Sequence, residues 1–293
     1  MSNVDSENIL SERFAELHKV LVASVEFQQN TRLILLSLRD LILQEHTAKV
    51  HASHPNPLNR FGCKCFSQAD EDGITMEIVK RLGIDKGVYA EFGVGTGIEN
   101  NTLILAALGW TGYWVGGEYL EFNYSQATKF AYVKDWITLE NIVQHAELGL
   151  KMIDADKADV VSLDLDGNDI YFVEKLLSNG TVPKLFIVEY NGKFPPPVKF
   201  QIAYDPDHRW LGDDYFGAAL TNYVELFYRF GYQLICCNAQ TGANAFFIHS
   251  DFSHLFTDIP SDIKDIYVAP RYHLYSKYGH KPSSKVVEAI INH

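Results

Sequence analysis

The stretch GVYAEFGVGTGIENNT (87–102) joins a run of apolar residues to a glycine-rich turn. The run ends at Glu91, and glycines follow at the alternate positions Gly93, Gly95 and Gly97. Glycine accepts positive φ and lets a ligand approach the backbone closely. The pattern predicts a buried strand that ends in a tight turn beside a small-molecule site, although a turn that uses glycine for packing alone would look the same.

Outward from this stretch, apolar runs alternate with segments of helical periodicity. The predicted strands are GVYAEFGV (87–94), YWVGGE (113–118), WITLENIV (136–143), DVVSLDLD (159–166), KLFIVEYN (184–191), YQLICCNA (232–239) and NAFFIHS (244–250). The predicted helices cover residues 70–82, 99–108, 123–134, 145–155, 169–178 and 216–230.

This alternation is typical of a parallel sheet with helices on both faces. The last two strands differ, because the four residues QTGA (240–243) are too few for a crossover helix and require an antiparallel pair. The sequence therefore predicts an α/β fold: a doubly wound, mostly parallel, Rossmann-like seven-stranded sheet, closed by a C-terminal antiparallel hairpin and preceded by an N-terminal helical extension.

Residues 7–46 read as one long helix or two joined helices with a single seam. Three polar residues interrupt the apolar seam positions, which are Phe14, Leu17 and Leu21, then Ser24, Gln28 and Thr31, then Leu35, Leu38 and Ile42. A coiled coil that forms a homo-oligomer and an amphipathic helix packed on its own domain both fit. Residues 47–60 lack periodicity and suggest a linker or surface loop. We expect an oligomerisation segment at 1–50, a linker at 51–65 and the α/β domain at 66–293.

The bulk composition excludes several classes of partner. The 293 residues carry a formal net charge of −12, which disfavours binding to nucleic acid. No uncharged apolar stretch is long enough for a membrane span, and no secretory segment opens the chain. The four cysteines are too few and too closely spaced for a disulfide scaffold or a zinc site. We expect a cytoplasmic protein.

The glycine spacing indicates which ligand the turn could hold. A dinucleotide-binding turn places its third glycine three residues after the second, where this chain has Ile98. Glu91 and Glu99 bracket the turn, and anions there disfavour a pyrophosphate. S-adenosylmethionine fits better, because it carries an ammonium, a sulfonium and a ribose diol but no phosphate. An NAD(P)-dependent oxidoreductase and a non-catalytic scaffold with a degenerate pocket are the alternatives.

The motif E-F-G-V-G-T-G (91–97) resembles the first motif of class I S-adenosylmethionine-dependent methyltransferases, and Glu118 at the end of GGE is similar to their ribose-binding acid. Further segments resemble FkbM-like sugar and polyketide O-methyltransferases and their bacterial glycan-modifying relatives: FSQADEDGI (66–74), EFGVGTGIENNT (91–102), VSLDLDGNDIYF (161–172), IVEYN (187–191), YDPDHRW (204–210), DYFGAAL (214–220) and NAFFI (244–248).

This resemblance implies a methyltransferase domain at 66–293 that methylates a hydroxyl of a sugar, glycan or related small molecule. It assigns the methionine part of the cofactor to Glu91, Gly93, Gly95 and Gly97, the ribose to Glu118, the carboxylate end to Ser67 and Gln68, and the adenine to His145 in the segment 145–147.

An acidic cluster is predicted where the fourth and fifth strands end. Asp164 and Asp166 share one strand face, and Glu189 and Asn191 repeat that spacing on the next strand. Asp164, Asp166 and Glu189 could hold Mg²⁺, or Asp166 could act as general base. Asn168 or Asp169 is expected to cap the following helix. The long loop 192–215 suggests a lid, in which His208 is a second candidate base.

Overall fold

A computed structural model describes residues 3–239, 243–270 and 283–291 of the chain. Three residues of the QTGA turn and most of the basic, aromatic C-terminal tail lie outside these ranges. Tertiary contacts divide the chain into two compact units, Met1–His46 and Thr47–His293.

The helices and strands follow in chain order. The helices are α1 (Asn3–Ser53), α2 (Glu71–Arg81), α3 (Leu103–Ala107), α4 (Ile142–Met152), α5 (Asp169–Ser178), α6 (Leu220–Arg229), α7 (Ile263–Ile266) and α8 (Ser284–Ile291), with 3-10 helices at Pro57–Phe61 and Ser250–Leu255. The strands are β1 (Val88–Phe92), β2 (Thr111–Gly116), β3 (Phe130–Lys134), β4 (Val160–Leu163), β5 (Leu185–Glu189), β6 (Tyr232–Cys237) and β7 (Asn244–His249).

The strands form one sheet in the order β3-β2-β1-β4-β5-β7-β6. The first five strands pair in parallel, and β7 runs antiparallel to both β5 and β6. The expected doubly wound, Rossmann-like sheet closed by an antiparallel hairpin is therefore confirmed.

Both faces of the sheet are covered, which is why its strands read as continuous apolar runs. On neighbouring strands, Phe92 and Tyr113 point into one core, whereas Tyr89 and Trp114 point into the other. Successive side chains of a strand leave opposite faces, so each strand contributes to both cores.

The predicted third strand and the helix before it are wrong. The strand is Phe130–Lys134, within the stretch expected to be helical, and residues 136–143 run from a turn into α4. Asn141 makes that turn, because its Oδ1 accepts from the Thr138 N–H at 2.7 Å and its Nδ2 donates to the Trp136 carbonyl at 2.8 Å. An amide side chain that bonds nearby backbone groups competes with a strand ladder.

The helix expected at residues 99–108 is shorter and covers Leu103–Ala107. The buried Glu91 carboxylate accepts the N–H groups of Asn101 at 2.9 Å and Thr102 at 3.0 Å, together with the Thr102 hydroxyl at 2.6 Å. These bonds hold the chain in a turn ahead of the helix and satisfy N–H groups that a helix start leaves free.

The linker or surface loop predicted for residues 47–60 is also wrong. α1 is continuous to Ser53, and the following 3-10 helix packs on the sheet with Leu58 fully buried. Asn56 and Asn59 donate their side-chain amides to carbonyls of the edge strand β6, at 2.7 and 2.8 Å. The segment therefore covers an edge that would otherwise be open to pairing with another chain.

The first unit consists of α1 up to His46. Its side chains from residue 13 onward are mostly exposed, including Phe14 at 64%, Phe27 at 72% and Leu35 at 62%. Between the two apolar parts of the predicted seam, Val25 and Phe27 continue the exposed apolar surface. In the part of the chain that the structure describes, helix length and apolar content never combine to the degree that a bilayer crossing requires.

Candidate functional site

A cavity of about 750 Å³ lies at the carboxyl ends of β1, β4 and β5. Strand order reverses between β1 and β4, which is where doubly wound sheets bind ligands. Its lining comprises Gln68, Gly93, Val94, Gly95, Thr96, Gly97, Ile98, Glu99, Glu121, Asp164, Asp166, Glu189, Trp210, Phe216, Ala243 and Asn244. A second cavity of about 250 Å³ shares Gly93, Gly95, Asp164 and Asp166 with it, so the two adjoin at the glycine turn.

The three glycines of the turn all have positive φ, but they have different structural roles. A Cβ on Gly93 would lie 1.6 Å from the Asp164 carbonyl oxygen, and one on Gly97 would meet the side chains of Leu120 and Phe122 within 3 Å. These two glycines permit close packing. Gly95 has φ +48° and nothing within 4 Å of its Cβ position, so it is the one that presents open backbone to the cavity.

Two residues predicted to bind the cofactor lie away from both cavities. Glu91 is 4% exposed and uses both carboxylate oxygens on the turn before α3. Ser67 is fully buried, and its hydroxyl lies 2.9 Å from the Asp72 carboxylate that accepts its hydrogen bond. Its neighbour Gln68 does line the larger cavity, where the Lys64 ammonium donates to the Gln68 carbonyl and to Glu99.

The smaller cavity gathers residues suited to a nucleoside. Glu118 lines it, and the Tyr132 hydroxyl fixes the adjoining backbone, because it lies 2.8 Å from the Gly116 carbonyl and 2.6 Å from the Glu118 carbonyl and shares its one hydrogen between them. Trp136 and Ile137 form its wall just beyond the end of β3. The sequence prediction missed Trp136 because it placed the third strand too late; the correct strand end would have pointed to it.

His145, expected near the adenine, is not brought to this cavity. It lies on α4, mostly buried, with Nε2 3.3 Å from the Asp135 carboxylate. The displaced strand prediction also explains this difference, since it moved the expected contact several residues along the chain.

Asp164, Asp166 and Glu189 come together as predicted, with ligand-capable oxygens all within 4.8 Å of one another. Burial, followed by repulsion from Asp169 and Asp166, holds the pKa of Asp164 well above its usual range, and burial with repulsion from Asp164 does the same for the pKa of Glu189. The two carboxyls also hydrogen-bond each other, which requires a shared proton when no cation is bound.

The loop after β4 is held by its own polar residues. Asp169 accepts the N–H groups of Leu165 at 2.6 Å and Gly167 at 2.8 Å, while burial raises its pKa to about 6. Asp166 sits between them with φ +56°, a conformation that costs energy in a residue other than glycine and is common at functional sites. Asn168 or Asp169 was expected to cap α5, and neither does so with its side chain. Asn168 occupies the N-cap position but bonds Asp205, and Asp169 accepts from N–H groups that precede the helix.

The segment 192–215 is anchored over the site. The two bonds between Asn168 and Asp205 are 2.7 and 3.2 Å long, and the Asn191 amide donates to the carbonyls of Asp214 and Phe216, both at 3.0 Å. The Asn191 side chain therefore holds this loop by hydrogen bonds and does not join the acidic cluster. The Arg209 guanidinium lies 5.6 Å from the centre of the Trp136 ring, which links the loop to the wall of the smaller cavity.

His208 lines the smaller cavity beside the acidic cluster. A Cβ on Gly167 would lie 2.3 Å from the His208 ring, so only glycine allows this approach. Burial is the largest effect on the imidazole and lowers its pKa, which leaves it neutral at pH 7. A neutral imidazole next to Asp166 can accept a proton, so both candidate bases are in place.

Several lining residues carry no earlier prediction. Trp210 and Phe216 form an aromatic wall with ring centres 6.1 Å apart, and Glu121 and Asn244 also line the cavity. Asn244 opens the NAFFI segment, and its position at the start of an antiparallel strand beside Glu189 was the available signal.

The sequence matches no protein-family model, and no curated protein matches it significantly. Among solved structures, a protein from Lactococcus lactis, provisionally assigned as a hemolysin, is similar at 10% identity and TM-score 0.39; the match covers 63% of this chain and 89% of that one. A provisionally assigned O-methyltransferase from Nostoc punctiforme PCC 73102 is similar at 15% identity and TM-score 0.39, covering 61% and 55%.

Human N-acetylserotonin methyltransferase, solved in complex with S-adenosylmethionine, is similar at 11% identity and TM-score 0.35, covering 56% of this chain and 47% of that one. The chain spans about half the length of these two methyltransferases. Scores and identities at this level do not identify the activity of the chain.

Proposed function

We propose that the chain is an S-adenosylmethionine-dependent methyltransferase that methylates a hydroxyl of a sugar, glycan or related small molecule. The observation that carries the proposal is the open, left-handed Gly95 at the switch point of the sheet, between a nucleoside-sized slot and an acid-lined cavity. The motif resemblance supports the same cofactor, and the acceptor class rests on that resemblance alone.

The residues around both cavities fit the parts of this cofactor. Glu118 would accept hydrogen bonds from the ribose, Trp136 offers a ring face to the adenine, and the backbone at Gly95 and Gln68 would receive the methionine part. The cofactor supplies an electrophilic methyl group. The protein contributes binding, alignment of the acceptor and exclusion of water under the loop that carries Trp210.

Two groups can take the proton from the acceptor hydroxyl. Asp166 lies at the junction of the cavities, and burial raises its pKa toward a more basic carboxylate. His208 is neutral at pH 7 and lines the smaller cavity next to Asp166. Both are proposed as general-base candidates, and their pH dependence separates them, as described in the Discussion.

A divalent cation is a further proposal for the same site. Asp164, Asp166 and Glu189 offer only oxygen ligands, which suits Mg²⁺, and the bound ion would relieve the repulsion between the carboxylates. A cation there would lower the pKa of a nearby hydroxyl. The calorimetric titration below, run with Mg²⁺ and then with a chelator, tests this requirement.

We also propose that α1 joins copies of the chain into a homo-oligomer. Its exposed apolar residues recur at coiled-coil spacing, and a helix with so much exposed apolar surface gains stability by packing against another. The acidic charge and four free cysteines further support a cytoplasmic setting. Sedimentation of the full chain and of Leu38→Asp tests the oligomer; equal masses for the two would contradict it.

Calorimetric titration with S-adenosylhomocysteine tests the cofactor assignment. The full chain should bind it, and Gly95→Ala should weaken binding by roughly tenfold or more, equivalent to about 1.4 kcal/mol. Gly83→Ala is the matched control, because Gly83 also has positive φ and an open Cβ position but lies outside both cavities. Both variants should lose similar stability; absence of binding by the parent chain would overturn the proposal.

A further inference from the structure

We propose that the acceptor carries a protonated amino group, which Asp164, Glu189 and Asn244 bind in the larger cavity. This inference rests on the proposed function and names the class of acceptor: an amine-bearing molecule, to the exclusion of phosphorylated or carboxylated ones.

The charge of the lining is the first observation. Glu99, Glu121, Asp164, Asp166 and Glu189 all face this cavity, whereas its described lining includes no lysine, arginine or histidine. The Lys64 ammonium lies 3.2 Å from Glu99 and offsets one of these charges. S-adenosylmethionine brings one net positive charge, so the carboxylates of the lining still outnumber the cations beside them. Like charges held close together are costly unless a cation accompanies them, and an anionic acceptor would add to the repulsion.

Asn244 is the second, independent observation. Its side chain is 94% buried, given a residue exposure of 6%, and its Oδ1 has no hydrogen-bond partner among the described residues. Its Nδ2 donates to the Glu71 carboxylate at 2.9 Å, which orients the amide so that its oxygen points away from Glu71. A buried acceptor without a donor is unfavourable, so this oxygen calls for a ligand N–H or O–H.

The three acceptor groups are neighbours. Asn244 and Glu189 are directly paired between β7 and β5, and Glu189 hydrogen-bonds Asp164, which follows the end of β4. A primary ammonium has three N–H donors and no acceptor, which matches three acceptor groups at one end of the sheet. A hydroxyl has one donor and would leave acceptors unpaired.

The aromatic wall agrees with a cationic ligand. Phe216 is buried, and the Trp210 ring is held by a hydrogen bond from its Nε1 to the Asp213 carbonyl at 2.7 Å. Aromatic faces attract ammonium groups and favour apolar or sugar carbons over phosphates. The cavity therefore combines acids, a free amide oxygen and aromatic rings in the described lining.

The test uses three sugars that differ only at one carbon: 6-amino-6-deoxyglucose, glucose and glucose 6-phosphate. Each is titrated at pH 7 into the full chain saturated with S-adenosylhomocysteine, in chelator and again in Mg²⁺. The amine should bind roughly tenfold or more tightly than glucose, because its hydrogen bonds to carboxylates are charge-assisted, and the phosphate should not bind. Equal binding, preference for the phosphate, or no binding of any probe overturns the inference.

Mg²⁺ provides a further decisive outcome. If the ion makes glucose bind as tightly as the amine, the carboxylates serve a metal and the inference is overturned. If the amine preference persists or the two cations compete, it is supported.

Glu189→Gln tests the residues, because it keeps the shape of the side chain and removes its charge. It should weaken the binding of 6-amino-6-deoxyglucose roughly tenfold or more, while the binding of S-adenosylhomocysteine changes little. Glu147→Gln removes the same charge from an exposed position on α4 and should change neither. Loss of S-adenosylhomocysteine binding by the parent chain would instead be a failure of the proposed function, and amine binding is then measured without it.

Discussion

Two groups of three acids in this protein have opposite surroundings. The donor-satisfied acids are Asp70, Glu71 and Asp72 at the start of α2, all at most 2% exposed. The cavity acids are Asp164, Asp166 and Glu189 at the ends of β4 and β5. Both groups place carboxylates side by side, but N–H groups of the described residues donate hydrogen bonds to the first group only.

Asp72 receives its hydrogen bonds at one oxygen only, since its Oδ1 is buried without a hydrogen-bond partner among the described residues. One of its oxygens, Oδ2, accepts the backbone N–H groups of Cys65, Phe66 and Ser67 at 2.6–2.9 Å, as well as the Ser67 hydroxyl. Asp70 is likewise bonded, by His51 at 2.8 Å and by groups after β6 at 3.2 Å. These acids organise the loop that leads into the cavity wall at Gln68.

The cavity acids receive no N–H donor among the described residues, and Asp164 and Glu189 bond each other. Carboxylates that accept hydrogen bonds from neighbouring N–H groups hold the local structure, whereas the half-buried Asp164 and Glu189 and the exposed Asp166 remain accessible to a ligand. The two groups contain the same number of acids, so what distinguishes them is where the neighbouring N–H donors lie.

The largest expected effect comes from removing a donor-satisfied acid. Asp72→Ala should lower the free energy of unfolding by at least about 3 kcal/mol, because it leaves several buried N–H groups without an acceptor. Asp166→Asn, a cavity acid at a position where asparagine tolerates positive φ, should change it by less than about 1 kcal/mol. Urea denaturation measures the free energy of unfolding of both variants, and a similar decrease in the two would contradict the distinction between the two groups of acids.

The next effect concerns catalysis beside the cavity acids. If His208 is the base, His208→Gln should lower kcat/KM about 100-fold or more. Because burial lowers its pKa below 6.5, the parent activity should fall only as pH drops below that value. The variant should lose this fall in activity at low pH, the acidic limb of the pH profile. A limb that persists in His208→Gln assigns the proton transfer to Asp166.

The smallest effect is on the pH dependence of stability. The folded state raises the pKa values of Asp164 and Glu189, so it keeps protons that the unfolded chain releases above about pH 4. Their contribution to stability therefore falls as pH rises through the raised values. Glu189→Gln should flatten this fall and be more stable than the parent at pH 8, whereas Glu147→Gln should follow the parent curve. A parent and Glu189→Gln with parallel curves would contradict the shared-proton account.

The sequence predicted most of the sheet because buried parallel strands need continuous apolar runs. DVVSLDLD and KLFIVEYN show this, as does the hairpin imposed by a four-residue connection. The prediction of the third strand was wrong. WITLENIV is as apolar as a strand, but the side chain of Asn141 bonds the nearby backbone and turns it. Local bonds of this kind leave no periodic pattern in the sequence.

The candidate site divides in the same way. β4 ends at Leu163, and the loop that holds Asp166 at φ +56° brings Asp164 and Asp166 beside Glu189. Strand alternation predicted this group without revealing that loop. It could not reveal that Glu91 accepts hydrogen bonds from a turn, that Ser67 faces Asp72, or that His145 lies in the first turn of α4 beside Asp135. Each of those outcomes depends on which donor lies nearby in space.

By itself, the sequence determined the fold class, the glycine turn and the presence of acids beyond the strand ends, because apolar runs and turn residues are local features of the chain. Only the tertiary structure decided which glycine stays open, which acids receive hydrogen bonds, and that Asn244 and Trp136 face the cavities. The physical reason is that hydrogen bonding and burial depend on neighbours from distant parts of the chain, and those neighbours exist only once the sheet has formed.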